Sequence, residues 1–152
     1  LVELGERIKR AVMEQTDPIH PENPGIHGVT VLEFTEPLVD YKDGKAANNT
    51  VVVSPGRLDR SPCGTGTCAR LAVLHARGEL KEGEPFYHRG ITGTEFIGRL
   101  EGTTKVGEYP AVYPSVSGQA WITSFKQVVL DHTDPFPEGF RVGDTWHLDE
   151  EE

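Results

Sequence analysis

The sequence is poor in sulfur and in long apolar runs. It holds two cysteines and one methionine in 152 residues, too few thiols for the disulfide framework of a small secreted scaffold. No stretch of about 18 apolar residues occurs, which excludes a transmembrane helix. The amino end, LVELGERIKRAVMEQ, lacks the apolar core of a signal peptide. Basic residues are also in deficit: 15 Lys and Arg stand against 24 Asp and Glu, a formal net charge of −9. With both signs mixed along the chain, such a surface repels phosphate backbones, so neither nucleic acid nor an anionic membrane is an expected partner. No internal repeat stands out. The length suits one domain with a sizeable core, and a soluble protein of the reducing cytoplasm is the simplest expectation.

An initiating Met is lacking too. The chain opens at Leu1 and runs directly into a helical pattern, with Leu4, Ile8 and Val12 on one stripe and Leu1 and Ala11 near it. That stripe needs a cover. A piece of a longer protein accounts for it, and so does a well-packed terminal helix.

Asp17-Pro18 ends this first helix near Thr16. A Pro-rich connection then leads to VTVLEF, residues 29 to 34, whose β-branched and apolar residues predict a strand. EPLVDYKDGKAANN reads as polar and turn-prone, TVVVS (50 to 54) as a short buried strand, and PGRLDRSP as a loop. A helix is predicted from Thr65 to about Arg77, stopped by Gly78 as a C-cap. Apolar residues cover most of its circumference, leaving Arg70 and Arg77 as a narrow polar stripe, so it should be enclosed by other elements. The remainder is β-rich. Turn signals at Gly90, Gly93, Gly102, Gly107, Pro110 and Gly118 separate TEFIGRLE, EYPAVYPSVS and QAWITSFKQVVLD. Trp121 and Phe125 are expected in a strand and in the core, and Tyr109 and Tyr113 as sheet residues. The acidic end, residues 145 to 152, reads as a frayed tail. The expected outline is an α/β (α+β) sheet wrapped around one central helix.

Both cysteines lie in SPCGTGTCAR, residues 61 to 70. Metal binding fits poorly, because Cys63 and Cys68 on one helix project about 140° apart. A structural zinc site also needs about four ligands, and His20, His27, His75, His88, His132 and His147 form no paired motif. A disulfide fails on reach, since its α-carbons must lie within roughly 7 Å. The glycines Gly64 and Gly66 at a helix start suit an anion, but the Lys of a P-loop and the third Gly of a dinucleotide fingerprint are missing. A small carboxylate fits as well as phosphate does. A thiolate is the remaining reading for Cys63, since a helix amino terminus lowers a thiol pKa. The alternative is an inert buried cysteine, which suits mid-helix Cys68 better. Asp59 is either a turn aspartate or a contact for a substrate ammonium beside a carboxylate-binding helix end. Thr65 either caps the helix or offers its hydroxyl and N–H to that carboxylate. His88, a lone histidine, is more often structural than a site residue.

DRSPCGTGTCARLAVL closely resembles the second cysteine motif of the proline racemase family, which includes hydroxyproline 2-epimerases and trans-3-hydroxyproline dehydratases. The likeness continues through HPENPGIHGVTVLEFT, RGITGTEF, TTKVG, SGQAWIT and DPFPEGFRVGDTW, and covers essentially the whole chain. It implies one lobe of the diaminopimelate-epimerase-like fold, a curved, mostly antiparallel sheet or barrel around a central helix. Residues 1–152 would then be the second of two lobes, with 1–16 as an interlobe helix and the active site in the cleft between lobes.

The resemblance also implies chemistry without a cofactor or metal. Two thiols face opposite sides of the substrate α-carbon; one removes its proton and the other returns a proton from the far face. Carried onto this sequence, Cys63 is one acid/base, Asp59 the ammonium contact, and Gly64 and Thr65 the carboxylate-binding N–H pair. Dehydratases of the family typically carry Thr where Cys63 stands, so Cys63 favours inversion of proline or hydroxyproline over water elimination. The departure is the absence of the family's Cys-Gly-His motif, which carries the other thiol, or its Ser-Gly-His variant. Cys68 cannot replace it. The resemblance thus implies an amino-terminal lobe as partner, leaves room for a homodimer, and leaves two alternatives: a trans-3-hydroxyproline dehydratase, or a non-catalytic lobe that binds an amino acid or anion.

Overall fold

The structure is a computed structural model and describes residues 1–139. The expected acidic tail, 145–152, lies outside them. The chain divides into two compact units, the first spanning Leu1–Gly118.

The first unit is α+β: two helices and an open sheet. Helix α1 (Val2–Met13) is followed by a small hairpin of β1 (Ile19–His20) and β2 (Asn23–His27). Then come β3 (Val31–Thr35), β4 (Val39–Tyr41), the long β5 (Gly44–Val53), β6 (Arg57–Leu58), helix α2 (Gly64–Ala76), β7 (Phe86–Arg89), β8 (Glu95–Val106) and β9 (Tyr109–Ser117). Strand β5 organises the sheet. It pairs antiparallel with β3, β4 and β6 and parallel with β7, and β8 and β9 extend the sheet beyond β7. Parallel neighbours need a long crossover. Here α2 supplies it, so the β5–α2–β7 path itself lays the helix on the sheet.

The core lies under α2. Leu71 and Leu74 pack with Ala47, Leu80, Phe86 and Leu100, each large side chain contributing about 1.5–3 kcal/mol by leaving water. Gly98 on β8 allows the close approach: a β-carbon there would stand 2.8 Å from Leu71 Cδ1 and 3.1 Å from Thr67 Cγ2. Helix α2 ends as predicted, with Gly78 at φ 70° beyond the Arg77 cap.

The expected α+β class and mostly antiparallel sheet are found, the sheet not being closed into a barrel. Four expectations are corrected. Helix α2 is not fully enclosed, Val73 being 40% exposed. The first helix turns a different face inward. Gly5 and Lys9 are buried; of the predicted stripe Ile8 and Val12 are half-buried, while Leu4, with Leu1 and Ala11 beside it, is exposed. Packing decides this: a β-carbon on Gly5 would meet Val52 Cγ2 at 2.9 Å, and buried Lys9 pairs with Glu6 and donates to Thr30 O and Ser54 Oγ. The segment read as turn-prone contains β4 and half of β5, because strand pairing overrides the weak propensities of Gly, Lys, Ala and Asn. Gly102, read as a turn, sits at a bulge inside β8, the other common place for a strand glycine.

The second unit begins at Gln119. Residues 119–130 form no strand, and Trp121 and Phe125 are 67% and 92% exposed, against the expected core strand. A strand exists only with a ladder partner, and none pairs with this segment among the described residues. Turns follow, in which Asp131 accepts from Thr133 and Asp134 from Phe136 N. Tyr109 and Tyr113 do lie in β9.

Candidate active site

The turn between β6 and α2 carries Asp59 and Cys63, and Gly64 and Thr65 open the helix. Asp59 starts the turn as an Asx-turn: its Oδ1 accepts from Ser61 N and Ser61 Oγ, both at 2.9 Å. Ser61 Oγ in turn accepts from Cys63 N at 3.1 Å. Asn49 of β5 donates to the Pro62 carbonyl, and a β-carbon on Gly90 would stand 3.0 Å from Pro62 N. The chain entering the helix is therefore clamped from both sides.

Cys63 is the N-cap of α2, and its Sγ accepts from Gly66 N at 3.3 Å. It does so at φ 64°, ψ 115°. Residues other than glycine rarely adopt such a backbone, which costs about 1–3 kcal/mol and occurs mainly at functional sites. Gly64 and Thr65, the next two residues, are exposed. Cys63 itself is 7% exposed, yet its sulfur accepts from an amide of the helix end.

The thiol is not acidified. Burial pushes its pKa above the ordinary value; the Gly66 amide pulls it down, and the carboxylates of Asp59 and Glu33 push it further up. The lowered pKa expected from the helix terminus is thus reversed in this chain. One dipole is outweighed by desolvation and two negative neighbours. Cys68 is also a free thiol, half-buried, its pKa raised by burial.

Beneath the turn lies a buried polar chain that sequence reasoning missed. Thr67 donates its hydroxyl to the Cys63 carbonyl at 2.6 Å and lies 3.0 Å from His88 Nδ1; His88 Nε2 lies 3.4 Å from Glu33 Oε1. Thr67 and His88 are fully buried, so His88 holds the site from below rather than facing a ligand. Gly66 makes room for the group: a β-carbon there would come within 2.4 Å of Glu33 Oε2. One signal was present in the sequence, a glutamate inside VTVLEF, a run otherwise of apolar and β-branched residues. A groove of about 460 Å³, lined by Asn49, Thr50, Arg89, Gly90 and Ile91 among others, adjoins this loop but does not include Cys63. Chemistry rather than volume locates the site.

The thiol at the amino end of α2, the carboxylate of Asp59 and the exposed Gly64 and Thr65 make up the candidate site. The sequence profile described as proline racemase matches residues 1–141.

The chain belongs to the proline racemase family.

It is 45% identical over 140 residues to a 4-hydroxyproline 2-epimerase of Streptosporangium roseum, covering 92% of this chain and 41% of that protein. Among solved structures it is similar to a probable proline racemase of Agrobacterium radiobacter K84 with bound carbonate, at 39% identity and a TM-score of 0.74, covering 95% of this chain and 42% of the other. It is similar again to a hydroxyproline epimerase of Agrobacterium vitis with bound trans-4-hydroxy-L-proline, at 40% identity and a TM-score of 0.73, covering 95% and 41%. The chain therefore spans about two fifths of the length of these family members.

Proposed function

We propose that this chain is the carboxyl-terminal lobe of a cofactor-independent isomerase that inverts the α-carbon of proline or hydroxyproline, and that Cys63 is one of its two acid/base groups. The observation that carries the reading is the placement of Cys63 Sγ against Gly66 N–H at the start of α2, with Asp59 on the same turn. A carboxylate held by the outward amides of Gly64 and Thr65 places negative charge at the positive end of a helix. The amides stay in place as enediolate-like charge builds up, so they favour the transition state without reorganising. Asp59 offers the opposite charge for the substrate ammonium. Its Oδ1 is occupied by Ser61, which fixes the carboxylate's orientation.

A protonated Cys63 suits the acid half of such a reaction: it delivers a proton to the α-carbon on its own side while the partner base takes one from the other side. The partner group belongs to the part of the protein that this chain does not span. Amino-acid chemistry through free thiols fits a reducing compartment such as the cytoplasm. Among the described residues no helix is long and apolar enough to cross a membrane.

The test is ¹H NMR in D₂O with L-proline and trans-4-hydroxy-L-proline. The chain alone is expected to exchange no α-proton. A fusion to the amino-terminal part of the Streptosporangium relative is expected to invert the substrate with deuterium entering the α-carbon, and Cys63→Ala in that fusion to lose about 10²–10⁴ in rate. Turnover by the isolated chain at the fusion's rate would overturn the two-lobe reading. Release of a cyclic imine would reassign the protein as a dehydratase, and binding without exchange as a non-catalytic lobe.

A further inference from the structure

The polar chain under the turn fixes a proton pattern that can be read from geometry alone. Thr67 Oγ1 stands 2.6 Å from the Cys63 carbonyl oxygen. A carbonyl cannot donate, so the single hydroxyl hydrogen points to it. The same Oγ1 lies 3.0 Å from His88 Nδ1. With its hydrogen committed, the hydroxyl accepts there, and Nδ1 carries a proton. Across the ring, Nε2 lies 3.4 Å from Glu33 Oε1. That contact is a proximity and not a hydrogen bond: His88 Nε2 is buried without a hydrogen-bond partner among the described residues.

This order reaches the surface through one peptide. The Cys63–Gly64 bond is planar and trans, so its C=O and N–H point in opposite directions. The carbonyl is drawn inward by two donors, Thr67 Oγ1 and Thr67 N at 2.9 Å. The Gly64 N–H is consequently turned outward, at an exposed residue with open space around it.

We propose that His88 is a positioning residue that fixes Thr67 as donor to the Cys63 carbonyl, thereby aiming the Gly64 amide at the substrate carboxylate and holding Cys63 in its positive-φ conformation. The ring is braced by Phe86, whose centroid lies 4.8 Å away. The inference deepens the proposed function and takes its purpose from it, but its test needs no substrate.

Two measurements on the 152-residue chain decide it. In the wild-type chain with ¹⁵N-labelled histidine, the His88 ring is expected to show a proton on Nδ1; a bare Nδ1 would overturn the proposal. Iodoacetamide labelling then compares Cys63 with Cys68, an internal control on the same helix. Thr67→Val is expected to accelerate Cys63 relative to Cys68 by about fivefold, the scale of one lost hydrogen bond, while Thr67→Ser stays within about twofold of wild type. An unchanged ratio in Thr67→Val counts against positioning, as does equal acceleration of both thiols, which is general loosening. Failure of the two-lobe fusion to epimerise would instead refute the function and leave both of these readings standing.

Discussion

Cys63 should be a residue kept against the interest of stability, and two substitutions isolate the cost. At φ 64°, ψ 115° a side chain with a β-carbon sits outside the favoured regions, at a penalty of about 1–3 kcal/mol. Replacing Cys63 by Ala removes the thiol and its bond from Gly66 N but keeps the β-carbon and its strain. Replacing it by Gly removes the thiol, the bond and the strain together. The glycine also loosens the unfolded chain, which costs about 0.4–1 kcal/mol. The difference leaves Cys63→Gly more stable than Cys63→Ala by about 1 kcal/mol, and the usual preference for Gly over Ala at an N-cap acts in the same direction. Urea unfolding followed by circular dichroism measures it as a shift in midpoint at constant slope; in thermal melts the gap should be about 4 °C. An alanine variant as stable as the glycine variant, or more so, would refute the claim that this turn stores strain. Comparing the two variants is essential, because comparison with wild type mixes strain with the buried sulfur's packing.

Asp59→Asn removes a negative charge that favours the thiol, so the pH profile of Cys63 alkylation should move to lower pH, while that of Cys68 stays put. The raised pKa of Cys63 also has a stability consequence. The folded state keeps the proton longer than the unfolded chain, so the stability it adds is present below the ordinary value of 9.0 and is lost as pH rises through the higher folded value; urea midpoints should fall in that alkaline window, and Cys63→Ala should flatten the fall. Gly98→Ala, which strand propensity alone would favour, should destabilise by about 1–3 kcal/mol in denaturant melts, because Leu71 Cδ1 at 2.8 Å is fully buried and cannot yield.

The elements that were legible in the sequence are those whose own residues decide them. The β-branched run at 50–53 and the glycine stop at Gly78 carry local instructions, and both appear in the structure. The turn into α2 was legible for the same reason: a Pro-Cys-Gly-Thr-Gly order leaves few other uses for its amides. What was not legible depends on partners. Strand β4 and the first half of β5 exist because each is the other's neighbour. The inward face of α1 follows from a glycine fitting against Val52 and a lysine finding Ser54 and Thr30, contacts that no periodicity encodes. The Glu33–His88–Thr67 chain joins β3, β7 and α2, three segments that only the folded topology brings together.

The same distinction explains the thiol. Sequence alone shows the helix amino terminus, a local feature, and so argues for a thiolate. Folding adds what the sequence keeps apart: the cover of the turn, Asp59 curled back by Ser61, and Glu33 delivered from a strand thirty residues away. Two of these are negative charges and the third is exclusion of water, and all three favour the neutral thiol. The helix end opposes them through a single amide at 3.3 Å. The terms that favour the proton outweigh the helix end, so the balance lies with the neutral thiol. A cation placed beside Asp59 would cancel a term that now favours the proton and shift the balance towards thiolate; under the proposed function the substrate ammonium is such a cation. Under the proposed function, in which Cys63 would release a proton in one direction of an inversion and accept it in the other, such a shift is more useful than a strongly acidified sulfur, which would hold a proton too weakly to return it.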